Sequence, residues 1–440
     1  MKINLFLLFL SLAGFLKSQE NPHRCGFDLL LENNPKVSEQ LKKNSEKWKS
    51  DFNNQQFRRN YIYNYDTTYI VKVVFHVLYN NTSENIPDST IITQMQVINE
   101  DFNRQNRDTN ATRQIFKGVA GSMRIRFELA TVGPNGLPTN GITRTFTTIN
   151  SFSNHNPNLD ERMKYNSNGG KDAWDTDNYL NVWVCDMFPT NPSNGFVAGY
   201  ATPPNDAPNW SLFYPKEVQG AVVHFSTVGR FNITASSNNS GGLGRTLTHE
   251  LGHYFGLFHT WGIASNCNTS NDDYIDDTPN TRESNFNCNF VNTCTDPIND
   301  LPDQIENYMD YALGRCQNIF TAQQAALMKY NINTHRKSIY TTEVSVDSVI
   351  GANVDAKPRI LFNPKNELHL TADIFTQTLF SVELYDMVGR KILTRNNVKL
   401  NGPFMILGTE LIANGQYIVK VLNKSTNTLT TLRWSKAQRQ

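Results

Sequence analysis

The chain has 440 residues, enough for two or three domains that each bury a core, and a formal net charge of +1 at pH 7. With a balance this close to neutral, nothing in the composition argues for nucleic acid or for a strongly charged partner. Residues 1–18 contain Lys2, an apolar run and a small residue before Gln19, which predicts a signal peptide. The alternative is an uncleaved membrane anchor, but no later stretch is apolar for long enough to cross a bilayer. We expect an exported protein with no transmembrane span.

Residues 19–60 are polar, with one short helical stretch at 38–52 and no strand pattern, and they end at the dibasic pair Arg58-Arg59. This composition predicts a pro-segment that is removed near the dibasic pair. Cys25 lies within it, and a thiolate is a good zinc ligand, so Cys25 could silence a metal site in the precursor. The alternatives are a disulfide with Cys185 or an unpaired thiol.

Residues 61–340 alternate between strand and helix patterns, as expected of an α+β domain. Apolar residues at helical spacing predict a helix at 89–103, capped by Asp88 or Ser89, and a helix at 321–333, capped by Thr321. Runs of β-branched and aromatic residues predict buried strands at 69–79, 125–131, 180–187 and 221–225, and an edge strand at 195–202.

The densest cluster of chemically active residues is His249-Glu250-Leu251-Gly252-His253, followed by Gly256 and His259. Two histidines one helical turn apart can bind one ion from the same face, and the glutamate between them can act on a water without being a ligand. Gly256 permits a sharp turn that brings His259 round as a third nitrogen ligand. Three imidazoles and a water form the open coordination of a catalytic zinc, with Glu250 as general base.

The sequence HELGHYFGLFH resembles the motif of the metzincin metalloproteases, and its continuation most resembles the pappalysin family, particularly its secreted bacterial members. The resemblance implies a twisted mixed sheet with an active-site helix in an upper subdomain, 61–256, and an irregular, disulfide-stapled lower subdomain, 257–340. It also implies a methionine turn in which Met309 forms the floor beneath the metal and Tyr311 stabilises the oxyanion. The edge strand would bind extended peptide substrates by strand addition.

Four of the six cysteines follow the zinc motif: Cys267, Cys288, Cys294 and Cys316. Sequence permits three pairings among them, and the lack of any CxxC pair argues against a second metal cluster. The pappalysin resemblance implies the disulfides Cys267–Cys294 and Cys288–Cys316. Bacterial pappalysins carry a similar Arg-Cys-Gly in their pro-segments, which favours Cys25 as a zymogen switch.

Residues 271–279 place four carboxylates within six positions, and such charges repel one another unless they are neutralised. Oxygen ligands at this density suit calcium, and the resemblance to calcium-binding pappalysins supports Asp273, Asp277 and Thr278 as its ligands. A solvated acidic loop is the alternative.

Arg315 precedes Cys316 in the segment that walls the S1′ pocket of metzincins, where arginine-preferring pappalysins have an acidic residue. A buried guanidinium there would repel a basic P1′ side chain, which predicts that arginine preference is lost. Alternatively, Arg315 points to solvent or pairs with a nearby acid.

Residues 341–356 lose periodicity and predict a linker, whereas 357–440 alternate in short runs that predict a small all-β sandwich. The runs around 382–390 and 415–421 resemble the C-terminal sorting domain of the type IX secretion system of Bacteroidetes. That resemblance implies export through an outer-membrane secretion machinery, followed by release or attachment to the cell surface. The alternative is a carbohydrate- or protein-binding sandwich.

Together these patterns predict a zinc-dependent endopeptidase that is made as a zymogen, is monomeric and acts on proteins or peptides. The alternative from another class is a non-catalytic surface adhesin on a protease-like fold. Every catalytic position of the motif is filled, so the sequence itself favours the enzyme.

Overall fold

The structure is a computed structural model. The predicted signal peptide, Arg58-Arg59, Asn271, Asp272 and most of the predicted linker lie outside the residues that it describes. The chain divides into a first unit, residues 1–64 and 69–341, and a C-terminal unit, residues 65–68 and 342–440. The described residues are 23–54, 67–152, 160–188, 196–204, 215–230, 232, 243–263, 266–267, 273–296, 300–344, 359–361, 368–371, 379–399, 404–405, 412–424 and 427–436.

The N-terminal segment, residues 23–54, folds as strand β1 (His23–Cys25), helix α1 (Phe27–Asn33) and helix α2 (Pro35–Phe52). Helix α2 confirms the predicted helical stretch, and its apolar side chains lie on one face and are buried. The expectation of no strand in this segment was wrong. Strand β1 exists because it pairs with a distant strand, and three residues carry no periodicity of their own.

The first unit is built on a twisted mixed sheet whose strands follow the order β1-β6-β7-β5-β2-β3, with β4 also paired to β2. Strands β6 and β7 are antiparallel, whereas the pairs β1–β6, β7–β5, β5–β2 and β2–β3 are parallel. Strand β4 was not predicted. The strands are β2 (Thr67–Tyr79), β3 (Ile125–Leu129), β4 (Ile142–Phe146), β5 (Leu180–Cys185), β6 (Phe196–Ala201) and β7 (Ala221–His224).

The described part of this unit also contains the α-helices α3 (Asp88–Phe102), α4 (Gln114–Lys117), α5 (Arg245–Tyr254) and α6 (Ala322–His335). Helix α5 packs against α3 and against strands β6 and β7, so the HELGH sequence lies directly beneath the sheet edge. Thr321 caps α6 in a capping box, as predicted. The predicted cap of α3 was wrong, because the N-cap position is Pro87 and no side chain caps that helix.

Between α5 and α6 the described residues form turns and short bridges with no helix or strand, which agrees with the expected irregular lower subdomain. Disulfides join Cys267 to Cys294 and Cys288 to Cys316, the pairs that the family resemblance implies. Cys25 and Cys185 are both free and buried, which excludes the alternative disulfide between them.

Strand β8 (Tyr340–Val344) occupies the first residues of the predicted linker. The C-terminal unit then contains two antiparallel sheets that share one apolar core, so the prediction of an α+β domain followed by an all-β sandwich is confirmed. No helix of the described residues combines the length and apolar character that a membrane crossing requires. One sheet contains β9 (Arg359–Leu361), β10 (His369–Thr371) and β13 (Phe404–Met405); the other contains β11 (Leu379–Asp386), β12 (Lys391–Lys399), β14 (Gly415–Asn423) and β15 (Thr428–Lys436).

The centre of helix α5 needs a glycine at position 252. A Cβ placed on Gly252 would overlap the sulfur of Met309, which is fully buried beneath the helix. Helical glycine is normally about 1 kcal/mol less favourable than alanine. The close approach of the Met309 thioether therefore explains why this position is not alanine.

We predict that Gly252→Ala lowers the free energy of unfolding by about 1–3 kcal/mol, because overpacking outweighs the gain in helix propensity. The measurement is urea unfolding, with Gly118→Ala as the control. A Cβ at Gly118 meets nothing within 4 Å, so the control should change stability by less than about 1 kcal/mol. A Gly252→Ala variant as stable as the parent would contradict this packing argument.

Candidate metal centre

Helix α5 and the turn after it bring three histidines to one point. His249 and His253 lie on one face of α5, and Gly256 ends the helical course with a left-handed φ of +92°. A Cβ on Gly256 would overlap the Asn331 amide, which donates to the Phe255 carbonyl, so close packing also requires glycine there. The chain then returns His259 to the helix. The three Nε2 atoms lie 3.1–3.2 Å from one another.

The hydrogen bonds of the three Nδ1 atoms, which point away from the cluster, determine that the Nε2 atoms are free to bind an ion. The Nδ1 of His249 donates to the Tyr308 carbonyl at 2.6 Å, and that of His253 to the Leu257 carbonyl at 2.8 Å. The Nδ1 of His259 donates to the Asp28 carboxylate at 2.9 Å. Carbonyl and carboxylate oxygens only accept, so each Nδ1 carries the proton and each Nε2 presents a lone pair. Three converging lone pairs repel one another unless a cation lies between them.

Burial keeps the imidazoles of His249 and His253 neutral, as metal ligation requires. Burial, with a further contribution from His259, lowers the pKa of His249 to about 3. Burial and the two neighbouring imidazoles hold the pKa of His253 well below its usual value. Neutral histidine is the form that binds metals, and the protein holds it there across the physiological pH range.

The donor set fits zinc. Zn–N bonds of about 2.0–2.1 Å in tetrahedral geometry place nitrogen ligands about 3.3 Å apart, close to the observed separations. Cys25 Sγ is the fourth member of the cluster, and all four ligand atoms lie within 4.8 Å of one another. Imidazole with thiolate is a combination that suits zinc better than magnesium or calcium.

Cys25 reaches this cluster from strand β1, held by backbone groups on both sides. The Cys25 N–H donates to the Tyr311 hydroxyl at 3.2 Å, and the Phe27 N–H donates to Cys25 Sγ at 3.3 Å. Cys25 Sγ in turn lies 3.2 Å from Glu250 Oε2. The thiol therefore occupies the space between the histidine cluster and the glutamate.

Glu250 is buried against the edge of the sheet and faces Gly199 of strand β6. A Cβ on Gly199 would lie 2.8 Å from Glu250 Oε1, so glycine makes room for the carboxyl group. Burial raises the pKa of Glu250 to about 8. A carboxyl group with its pKa near neutrality can both accept and return a proton, which is the property that general acid–base chemistry needs.

Met309 and Tyr311 come from the turn that passes beneath α5. Met309 is fully buried, and its sulfur packs against Gly252 of helix α5. The Tyr311 ring packs near His249 and His259, and its hydroxyl donates to Asp28 at 3.3 Å. The hydroxyl therefore lies beside the cluster but is occupied by the N-terminal segment.

A buried polar network fixes this turn to the two helices above it. Asp101 of α3 accepts from the Tyr308 hydroxyl and from the Thr248 hydroxyl, each at 2.8 Å. The Arg245 guanidinium lies 3.6 Å from Asp101 and donates to Asp108. Because the Tyr308 carbonyl holds His249, this network positions a proposed metal ligand.

The residues that sequence reasoning missed are the ones that support the cluster from outside: Asp28, Phe27, Asp101, Tyr308 and Trp261. Phe27 stacks on His253 at 3.8 Å, and Trp261 stacks on His259 at 4.3 Å. Asp28 and Phe27 follow Cys25 directly, so their proximity to a candidate ligand was the available signal. Asp101 lies 148 positions before His249, and nothing in the sequence links the two.

The proposed calcium ligands do not share one set of contacts among the described residues. The Thr278 hydroxyl donates to the Asp273 carboxylate at 2.9 Å, and the Ile275 N–H also donates to Asp273. Asp277 instead accepts from the Gln323 N–H at the start of α6.

Arg315 is exposed, whereas Cys316 beside it is in a disulfide. The structure therefore does not contain the buried guanidinium on which the predicted repulsion of a basic P1′ side chain depends, and the solvent-facing alternative applies here.

Residues 163–333 match the model of the peptidase M43 family, described as pregnancy-associated plasma protein-A. An extracellular metalloprotease of Colletotrichum graminicola is 35% identical over 142 residues, which cover 32% of this chain and 47% of that protein. One of Sordaria macrospora is 41% identical over 95 residues, which cover 21% and 32%. The chain thus spans about half, or less, of the length of these curated relatives.

Two solved structures of mirolysin from Tannerella forsythia are similar over nearly their whole length. Mature mirolysin in complex with a cleaved peptide is 38% identical, with a TM-score of 0.53, and the match covers 62% of this chain and 95% of that one. A promirolysin point mutant is 33% identical, with a TM-score of 0.57, and the match covers 72% and 95%. With the histidine cluster, these matches establish that the chain belongs to the pappalysin, or M43, peptidase family.

Proposed function

We propose that this protein is a zinc-dependent endopeptidase that is made as an inactive precursor and acts outside the cell. The observation that carries the proposal is the set of three Nε2 lone pairs 3.1–3.2 Å apart, each fixed by an outward Nδ1–H hydrogen bond. His249, His253 and His259 would hold the zinc. When bound there, zinc would polarise the substrate carbonyl and activate a water.

The roles of the other residues follow from their positions. Glu250 would take a proton from the attacking water and return it to the leaving amine, because its carboxyl group faces the space that Cys25 Sγ fills beside the histidine cluster and is not one of the imidazole ligands. Tyr311 would donate its hydroxyl to the oxyanion once the N-terminal segment has left. Met309 would support the centre from below without taking part in the chemistry.

Substrate would bind as an extended strand on β6. In the precursor β1 occupies that position, because His23 and Arg24 pair with Phe196 and Val197. Removal of residues 19–60 would return β6 to the sheet edge, where its backbone groups can bind a peptide by strand addition. A proteolytic role therefore accounts for both the metal centre and the free edge.

One experiment distinguishes the endopeptidase from the alternative, a non-catalytic adhesin. Protein trimmed to begin near Asn60 would be mixed with a proteome-derived peptide library, with and without a zinc chelator, and the cuts mapped by mass spectrometry. Chelator-sensitive cuts support the endopeptidase and report its P1′ preference. No cuts by protein that holds stoichiometric zinc would favour the binding protein.

We predict that Glu250→Ala retains one zinc per chain and lowers kcat/KM for a library-derived peptide by at least 10²–10⁴-fold. The reason is that Glu250 handles protons but contributes none of the imidazole ligands. Metal analysis and peptide hydrolysis are measured on the same preparation. Activity within a few-fold of the parent would contradict the assignment of Glu250 as the general base.

We propose that the N-terminal segment is a pro-segment and that Cys25 is its switch. In support, the promirolysin structure matches a larger share of this chain than mature mirolysin does, 72% against 62%. Cys25 Sγ is placed among the three histidine nitrogens, where it would fill the position that the water needs. The rest of the segment blocks β6 independently of the thiol.

We predict that Cys25→Ala gives an uncleaved precursor with measurable peptidase activity, below that of the trimmed protein because β1 still covers β6. Cys185→Ala is the control, since Cys185 is the other free cysteine and lies outside the metal cluster. Activity is measured on precursor shown by mass spectrometry to be intact. A Cys25→Ala precursor as silent as the control would remove the thiol from the latency mechanism.

Two further assignments remain proposals. Calcium binding at Asp273, Asp277 and Thr278 is supported by the buried Asp273 carboxylate, and calcium content measured by atomic spectroscopy would check it. Sorting of the C-terminal unit by an outer-membrane secretion machinery is supported by its sandwich and is checked by locating the protein in cell fractions.

A further inference from the structure

We infer that Asp28 is a positioning residue of the metal centre and that the precursor therefore holds its zinc more tightly than the processed chain does. This inference rests on the proposed function, since it takes the three histidines as zinc ligands and residues 19–60 as removable. It concerns how one of those ligands is held, which neither the motif nor the cysteine switch describes.

The three histidines are not held alike. His249 and His253 donate their outer N–H to backbone carbonyls of Tyr308 and Leu257, which stay in the processed chain. His259 instead donates to the Asp28 carboxylate, which among the described residues is the acceptor for its Nδ1–H. Removal of the N-terminal segment thus leaves one of three ligands without its outer partner.

A carboxylate on the outer nitrogen of a histidine ligand fixes the ring and makes the inner nitrogen a better donor to the metal. Loss of such a partner typically costs about 10–100-fold in metal affinity. His259 is also the ligand that comes from the turn after α5 rather than from the helix. Its ring orientation therefore depends more on side-chain contacts than those of His249 and His253 do.

The second oxygen of Asp28 joins this ligand to the proposed oxyanion residue. Asp28 Oδ2 accepts from the Tyr311 hydroxyl at 3.3 Å, while Oδ1 accepts from His259. The Asp28 carboxylate therefore orients His259 and also holds the Tyr311 hydroxyl in a hydrogen bond, so that this hydroxyl is not available to an oxyanion. Its departure changes both at once, in addition to the loss of the Cys25 thiolate.

The test compares zinc affinities of intact precursors, measured by competition with a chromophoric chelator. The parent carries Glu250→Ala, so that no self-cleavage occurs. Adding Asp28→Ala should weaken zinc binding by about 10–100-fold, and Asp28→Asn, which keeps an oxygen acceptor, should weaken it less. Asp51→Ala is the matched control, because Asp51 is an acid of the same segment that pairs with Lys47 on the surface. Unchanged affinity in Asp28→Ala would overturn the inference.

Cobalt substitution separates positioning from simple detachment of the segment. The thiolate-to-cobalt charge-transfer absorption reports whether Cys25 remains bound to the metal. Weaker affinity with that absorption retained supports Asp28 acting through His259. Loss of the absorption in Asp28→Ala would show that Asp28 only anchors the segment, which overturns the inference. A parent that binds no zinc would instead overturn the proposed function.

The packing of the Phe27 ring is a separate observation. From it we propose that the processed chain binds an aromatic substrate side chain on the N-terminal side of the scissile bond. Phe27 is 1% exposed and stacks on His253 with ring centroids 3.8 Å apart and planes 11° apart. Its other aromatic neighbours are Phe258 at 6.2 Å and His259 at 5.9 Å. All three walls belong to the processed chain, so removal of Phe27 opens an aromatic recess beside the metal.

The direction of the strands assigns this recess to one side of the substrate. Strand β1 runs parallel to β6, and the Gly26 N–H continues the pairing at Gly199, so Phe27 lies towards the C-terminal end of β6. The N-terminal segment lies across the metal centre parallel to β6, and a pro-segment must not itself be cleaved there. We therefore infer that substrates bind in the opposite direction, antiparallel to β6. The residues before the scissile bond of such a substrate lie on the side of Phe27.

The test profiles cuts by full-length precursor that has been processed by limited trypsin treatment, with the trypsin then quenched. We expect Phe, Tyr and Trp to be enriched at a position before the scissile bond, and Phe258→Ala to reduce that enrichment several-fold without altering the P1′ preference. Phe290→Ala is the control, since Phe290 is 70% exposed and lies over Arg113. No aromatic enrichment before the cut, or enrichment unaffected by Phe258→Ala, would overturn the proposal.

A measurement on the unaltered enzyme covers the case in which Phe258→Ala does not fold. N-terminal product peptides that differ only in Phe or Ala at the enriched position are compared as inhibitors. Stronger inhibition by the Phe peptide supports the recess, and equal inhibition overturns it. Absence of any cleavage by zinc-loaded enzyme would overturn the proposed function rather than the direction of binding alone.

Discussion

The first unit depends on one unfavourable arrangement, three imidazole lone pairs that face one another at 3.1–3.2 Å. Without a cation this cluster is repulsive, so each ring must be held by other bonds. His249 is held through Tyr308, whose hydroxyl reaches Asp101 on α3, and His253 is held within its own turn by Leu257. The polar network of α3 and the close contact of Met309 with α5 are therefore means of keeping three ligands aimed at one point.

The N-terminal segment would oppose the proposed activity in more than one physical way. Cys25 would contribute a sulfur ligand, β1 pairs with the backbone of β6, and Phe27 stacks on His253. These contacts differ in kind, being coordination, backbone hydrogen bonding and apolar burial. Substitution of one group therefore leaves the others, whereas cleavage of the chain removes all of them together.

The clustering of the three histidines could be predicted from sequence because it is local. His249, Glu250 and His253 are fixed by helix geometry, and His259 follows from one glycine whose φ of +92° is the conformation that glycine permits. The fold class and the strands β2, β5 and β7 followed from period and composition. These features depend on neighbours in the sequence, so local patterns report them.

The rest depends on partners distant in the sequence. Strand β1 is a strand only because β6 lies beside it, and Asp101 reaches the centre through Tyr308 and Thr248. The sequence places Arg315 beside Cys316 but does not determine whether its side chain is buried. In the structure Arg315 is exposed. The α3 cap failed because Pro87, rather than Asp88 or Ser89, holds the position before the first helical residue.

The buried glutamate connects latency to chemistry. Burial raises the pKa of Glu250 to about 8, and burial, together with the nearby Glu250 and Asp28 carboxyl groups, holds the pKa of the Cys25 thiol well above its usual value. The Cys25 thiol donates to Glu250 Oε2 at 3.2 Å, so the glutamate is the acceptor for the proton that the sulfur must give up before it can bind a metal. The same carboxyl group that would exchange protons with substrate thus accepts a hydrogen bond from the thiol, and the proposed latency needs only residues of the N-terminal segment and of the proposed catalytic centre.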